Sequence, residues 1–255
     1  MRNFSLEKNG IEVFKIDKKI KKLVSSEIQK NISSKLKIKL NSTFYKISKK
    51  INALDDLDFS NLFGMVSYRY LPSKVTRKIN LYLKKYRFNR NFKNISLHQL
   101  SKMDISTNPI LKINEYCVYY RVVRKNKSDV SHPHRDRDFW KLHKYNKNLI
   151  PKIPFEYKKR LKVWLPIYGC DKKNSLRFFN GSQLQNIKSY VKTVNGIKKP
   201  VIDKNFILKN KKKIVMPINN FYLDAVLFDD DCVHFAPKNI SADLRISCEF
   251  TAITS

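Results

Sequence analysis

A mainly β chain with a helical N-terminal section is predicted by a change of periodicity near residue 111. Before that point, apolar residues recur at helical spacing over two long stretches. After it, short runs rich in Val, Ile, Tyr and Phe alternate with polar turns, which reads as an antiparallel sandwich or barrel. No Gly- or Pro-rich linker and no internal repeat divides the 255 residues. A single domain is expected, with 1–110 as a helical support region and 111–255 as the β core.

Each element has its own signal. GIEVFKI (10–16) alternates apolar and polar side chains with β-branched members, so it reads as a short strand. From Asp17 to about Ile51 the spacing is helical, as in KKIKKLVSSEIQKNI. A second helical stretch, SKVTRKINLYLKKYRF (73–88), follows a turn at LPS, and its Lys-rich face is solvated surface. Beyond Leu111 the expected strands are NEYCVYYRVVR (114–124), LKVWLPIYGC (161–170), SLRFFNG (175–181), KKIVMPI (212–218), NFYLDAVLFDD (220–230) and DLRISCEFTAI (243–253). No helices are expected between them.

Composition bounds the function. Hydrophobic residues make up 42%, with 16 Phe and 13 Tyr, which is globular rather than disordered. No run reaches the roughly 18 apolar residues of a membrane span. The opening MRNFSLEKNGIEVFK lacks the apolar stretch of a secretory signal. Cys117, Cys170, Cys232 and Cys248 show no CxxC pairing and are too few for a disulfide scaffold, so reduced, mostly buried thiols in a cytoplasmic protein are expected. The formal net charge of +32 would draw nucleic acid or another acidic surface. The lysines are spread along the chain, however, among many Asn and Ile. Specific nucleic-acid binding is therefore not expected, although such a surface would help collect anionic small molecules. With five Gly, nucleotide-cradling loops are nearly excluded, and no GxSxG elbow, HExxH helix or PCxxC zinc half-site is present.

SHPHRDRDFW (131–140) holds two of the five histidines. Within it His134-Arg135-Asp136 is an H-x-D triplet. On an extended segment alternate residues face the same way, so the imidazole and the carboxylate converge on one ion. His234, in DDDCVHFAP at the end of another strand, supplies a third ligand. Two imidazoles and one carboxylate form the facial triad of non-haem Fe(II) oxygenases, with positions left open for cosubstrate and oxygen. Arg245 lies eleven residues after His234, and Ser247 two further on faces the same way. A guanidinium fork binds a carboxylate through two charge-assisted hydrogen bonds, and the hydroxyl can add a third. That pair suits the distal carboxylate of 2-oxoglutarate. Tyr119 and Arg121, on the preceding Tyr-rich strand, could reach cosubstrate or substrate, but alternation does not say which face is the pocket.

The set His134, Asp136, His234 and Arg245 resembles the metal and cosubstrate motif of Fe(II)/2-oxoglutarate-dependent oxygenases, and within them the phytanoyl-CoA dioxygenase-like family. SLRFFNGSQ (175–183) is similar to that family's strand and tight turn, usually ending Pro-Gly-Ser-His, with Asn180 and Gln183 as departures. Trp140, four residues after the carboxylate, matches an H-x-D-x-x-x-W form of some members, and EKNGIEVFKI resembles their first strand. Firm motifs cover about 130–250.

The resemblance implies a double-stranded β-helix (jelly roll, cupin-like) with a metal at its open mouth. Fe(II) would be held by His134, Asp136 and His234, and 2-oxoglutarate by Arg245 and Ser247, with Trp140, Tyr119 and Arg121 as further contacts. O2 would be the oxidant. It implies a small-molecule substrate, sugar-like or a small anionic metabolite. Related halogenases carry a small residue in place of the carboxylate, so Asp136 implies a hydroxylase or desaturase. The 125–160 segment and the loops at 182–212 are expected to line or cover the mouth.

Plainer readings stand beside these. His132 competes with His134, though the H-x-D register favours the latter. His143 reads as a rim residue, and Asp138 as the partner of Arg135 or Arg137. Asp229, Asp230 and Asp231 read as an acidic turn, and Trp140 and Trp164 can equally be core. For the whole chain the rivals are a nucleic-acid-associated basic protein and an inactive β-helix kept as a binding module.

Overall fold

In the computed structural model, residues 4–64, 68–85, 95–97, 118–127, 129–130, 132–142, 159–194, 197–241 and 243–254 are described. A short helix α1 (Leu6–Asn9) ends at Gly10, whose φ of 73° is left-handed, and the chain enters β1 (Ile11–Lys15) where the alternation places it. Asp17 then starts α2 (Lys18–Lys35) by accepting hydrogen bonds from the Lys19 and Ile20 amides.

The helical stretch expected to run from Asp17 to Ile51 is broken. Lys37 takes a left-handed φ of 52°, and Thr43 caps a new helix, α3 (Phe44–Asn52). Asp55 caps α4 (Asp56–Phe63). After β2 (Tyr68–Tyr70), α5 (Ser73–Lys85) follows at the second helical stretch, and β3 (Ile95–Leu97) comes next. The expected helix end at 86–88 and strand start at 114–117, with Cys117 and His143, lie outside the described residues.

The strands that follow are β4 (Tyr119–Val123), β5 (Lys159–Tyr168), β6 (Arg177–Phe179), β7 (Ser189–Val194), β8 (Ile197–Ile202), β9 (Ile214–Val215), β10 (Asp224–Asp229), β11 (His234–Phe235) and β12 (Arg245–Thr254). Two helices interrupt them, contrary to the expectation of strands alone: α6 (Asp136–Leu142) and α7 (Lys204–Lys209). The region expected as loops at 182–212 contains the β7–β8 hairpin.

The large sheet runs β1-β10-β5-β12-β4-β2, with β3 also on β12, and the small sheet runs β11-β6-β9. His134 extends the small sheet through an antiparallel bridge to His234. Following the chain, β4, β5, β10 and β12 lie in the large sheet, while His134, β6, β9 and β11 lie in the small one. That winding is a double-stranded β-helix.

Alternation along the large sheet separates two faces. One face carries Tyr120, Val122, Leu161, Val163, Leu165, Ala225, Leu227, Ile246 and Cys248, and packs against the helices through Val24, Ile28, Ile32, Ile47, Ile51, Phe59, Phe63 and Ile79. The other face turns Trp164, Val226 and Phe228 into the barrel against Phe178 and Val215 of the small sheet. Cys170, Cys232 and Cys248 are free thiols. No helix among the described residues is long and apolar enough to cross a membrane.

Candidate metal centre

The two bridged strands and the turn after them assemble the site. His134 and His234 exchange backbone hydrogen bonds of 3.1 and 3.0 Å, which sets their rings side by side, 4.4 Å apart between centroids. The chain does not stay extended to Asp136, as the H-x-D argument assumed. It turns, and Asp136 becomes the first residue of α6. The convergence therefore comes from a strand-to-helix turn rather than from strand alternation. It brings Asp136 Oδ1 to 3.9 Å from His134 Nε2 and Oδ2 to 3.9 Å from His234 Nε2. The three ligand atoms lie within 4.8 Å of one another.

Their preparation for an ion is visible in the surrounding bonds. His134 Nδ1 donates to the His132 carbonyl at 2.6 Å and His234 Nδ1 to the Cys232 carbonyl at 3.0 Å. Each bond fixes the tautomer that leaves Nε2 with a free lone pair. His132 meets His134 through its backbone carbonyl. Burial, and after it the nearby His234, push the His134 pKa down to about 3, so its ring is neutral at ordinary pH. Burial alone would raise the Asp136 pKa, but Lys162, the two histidines and Arg121 outweigh it and hold it at about 2. Asp136 Oδ2 is buried and has no hydrogen-bond partner. Two imidazoles presenting Nε2 and an ionised carboxylate with an unspent oxygen fit a divalent transition metal such as iron.

The flanking residues hold this group in place. The edge of Phe139 meets His134, and Phe228 and Phe178 pack on His234. Asp138 pairs with Arg135 through two bonds of 2.9 and 3.0 Å. The acidic turn is tied back to α6, since Arg137 pairs with Asp231 at 2.7 Å and its amide donates to the Asp230 carbonyl. Trp140 lies on α6, with its side chain outside the described residues. Trp164 is core, 1% exposed.

Along β12, Arg245, Ser247 and Glu249 alternate against the apolar Ile246 and Cys248. Arg245 is 2% exposed, and burial pulls its pKa down to about 10. Its Nη1 donates to the Asn174 carbonyl, while its Nε has no hydrogen-bond partner. Ser247, expected to assist Arg245, instead donates to Glu249 Oε1 at 3.2 Å. Tyr119 and Arg121 sit on the same side of β4, opposite the helix-facing Tyr120, so their face is the interior one. Tyr119 donates to Glu249 Oε2 at 3.3 Å, and Arg121 Nε lies 3.8 Å from Glu249 Oε1.

Two residues that the sequence reading missed therefore belong to this group, Glu249 and Lys162. Lys162 donates to the Tyr119 hydroxyl at 2.9 Å and stands 3.7 Å from Asp136 Oδ2. Burial disfavours its ammonium, yet Asp136, Tyr119 and Glu249 hold its pKa above the usual lysine range. Both carried a signal. Lys162 is a charge inside the apolar run LKVWLPIY, and Glu249 has the same parity as Arg245 and Ser247.

Fold and site together define a double-stranded β-helix with a His-x-Asp…His group at one end of its barrel. No family model and no curated protein matches the chain. Among solved structures it is similar to EctD from S. alaskensis with 2-oxoglutarate and 5-hydroxyectoine, with a TM-score of 0.52 and 12% identity over 98% of this chain and 74% of that one. The same protein with bound Fe gives 0.50, at 12% identity and the same coverage. At this identity the likeness is one of fold.

Proposed function

We propose that the protein is an Fe(II)- and 2-oxoglutarate-dependent oxygenase that hydroxylates a small polar metabolite. The observation that carries this reading is the convergence of His134 Nε2, His234 Nε2 and the unspent Asp136 Oδ2, with both histidines locked in the ligand tautomer. EctD, whose structures hold Fe and 2-oxoglutarate in the same fold, supports it. Ferrous iron held by this triad would supply chelation of the 2-oxo acid and activation of O2. The chain's own part is to orient and to exclude water. Arg245 offers a buried guanidinium with an unspent Nε to the distal carboxylate of 2-oxoglutarate. Phe139, Phe178 and Phe228 shield the imidazoles. A carboxylate at Asp136, rather than a small residue, supports hydroxylation over halogenation.

The test is anaerobic iron binding followed by turnover. The protein is expected to take up one equivalent of Fe(II) and, with O2 and its substrate, to convert 2-oxoglutarate to succinate. Asp136→Ala is expected to do neither while remaining folded. Equal iron uptake by wild type and a folded Asp136→Ala protein would overturn the assignment.

A further inference from the structure

The polar end of the barrel holds more positive than negative charge. Arg121 from β4, Lys162 from β5 and Arg245 from β12 face it, together with Asp136 and Glu249. Lys199, on β8, joins them. The Ile202 amide of that strand donates to the Pro133 carbonyl at 3.3 Å, which pins the hairpin beside the H-x-D turn. Lys199 is part-buried there, and its pKa is lowered by burial and by Arg121. Among the described residues this makes four cations against two carboxylates. A ferrous ion would add two positive charges and 2-oxoglutarate two negative ones, so the excess survives cofactor and cosubstrate.

Lys162 is where the excess is hardest to tolerate. It is 5% exposed, and among the described residues it gives one hydrogen bond to Tyr119, lies over that ring at 5.3 Å, and makes an ion contact of 3.7 Å to Asp136, too long for a hydrogen bond. An ammonium has three N–H groups, so it can donate beyond the bond to Tyr119. Once Asp136 gives its charge to a metal, Lys162 is left with Glu249, which Arg121 shares, and a buried cation short of counter-charge is strongly unfavourable. An incoming anion restores the balance.

We propose that the substrate is a small organic anion, a carboxylate or a phosphate ester, whose charged group is bound by Lys162 with Lys199 at the rim. This rests on the oxygenase reading, in which Asp136 is a metal ligand and Arg245 is filled by the cosubstrate. The anion site is separate from the Arg245 anchor, and Tyr119, holding Lys162 on one side and Glu249 on the other, orients it.

The test uses the full chain loaded with Fe(II) and saturating 2-oxoglutarate without oxygen, so that the Arg245 position is already taken. Thermal shift is measured with matched pairs: gluconate or glucose 6-phosphate against glucose, glycerate against glycerol, and inorganic phosphate as the minimal probe. The anionic members are expected to raise the midpoint and the neutral ones to leave it unchanged. Carboxylate and phosphate arms separate the two sources of charge. Lys162→Met should weaken anion binding about 30-fold or more, Lys162→Arg should restore part of it, and Lys199→Gln should weaken it about five-fold. If Lys162→Met does not fold, Lys199→Gln at the part-buried rim carries the test. Equal shifts by neutral partners, anion binding indifferent to these variants, or no shift with any probe, phosphate included, would overturn the proposal. The visible band of 2-oxoglutarate on ferrous iron reports the oxygenase reading separately, so each can fail while the other stands.

Discussion

Lys162 and Trp164 sit two residues apart on β5 and point to the same side of the sheet, yet they belong to different halves of the barrel interior. Trp164 joins Ile11, Phe178, Val226 and Phe228 in an apolar plug, while Lys162 joins Tyr119, Arg121, Glu249 and Asp136 in a charged cluster. The strands supply the same geometry to both. What differs is whether a buried side chain is satisfied by dispersion and water exclusion, or only by a partner of opposite charge. The plug is complete in itself. The charged cluster is not, since Asp136 Oδ2 and Arg245 Nε are buried without hydrogen bonds. Such unspent polar atoms within a cluster of charges are places for a ligand to complete.

If the plug carries stability and the charged cluster carries function, substitutions should sort the same way. The largest loss is expected from Trp164→Ala. It should cost about 3–5 kcal/mol of unfolding free energy in a denaturant titration, with iron uptake preserved in whatever fraction stays folded. Glu249→Ala should cost about 2 kcal/mol, because it removes the acceptor of the Tyr119 and Ser247 hydroxyls and the carboxylate beside Arg121 together. Glu249→Gln should recover part of that loss.

A pH effect separates the halves in another way. The His134 pKa is near 3 in the fold against an ordinary 6.5, so the unfolded chain takes up the proton first. Stability of the metal-free protein from this group is intact above pH 6.5 and is lost as pH falls toward 3. Asp136, held near 2 against 3.8, adds its own loss below 3.8. His134→Gln should flatten the midpoint-against-pH curve between 6.5 and 3 relative to wild type, whereas a plug variant should shift the whole curve without changing its slope. The smallest effect is expected from Ser247→Ala, about 1 kcal/mol or less, since Glu249 keeps its other partners. A loss as large as that of Trp164→Ala would break the distinction between the halves.

The same distinction explains what the sequence makes legible. Strands β1, β4, β5, β10 and β12 follow from alternation, because one face of each must meet the helices and the other the barrel. His134, Asp136, His234 and Arg245 stand out by residue type and spacing. The turn that makes Asp136 the head of α6 does not, since it depends on the His134–His234 bridge, a contact between positions a hundred residues apart. The break at Lys37 is equally silent, as a lysine carries no signal for a left-handed φ. Ser247, Tyr119 and Arg121 stand out as candidate contacts, with the face of the last two left open by alternation, and their common partner is the chain's own Glu249, a pairing across strands that no single-strand pattern records.

The most direct measurement is the visible spectrum of the anaerobic protein as Fe(II) and then 2-oxoglutarate are added. A 2-oxo acid chelating ferrous iron gives a weak charge-transfer band. The account predicts that the band appears in the wild-type protein and is lost in both Asp136→Ala and Arg245→Ala. A folded, iron-loaded wild-type sample that shows no band at saturating 2-oxoglutarate would contradict it.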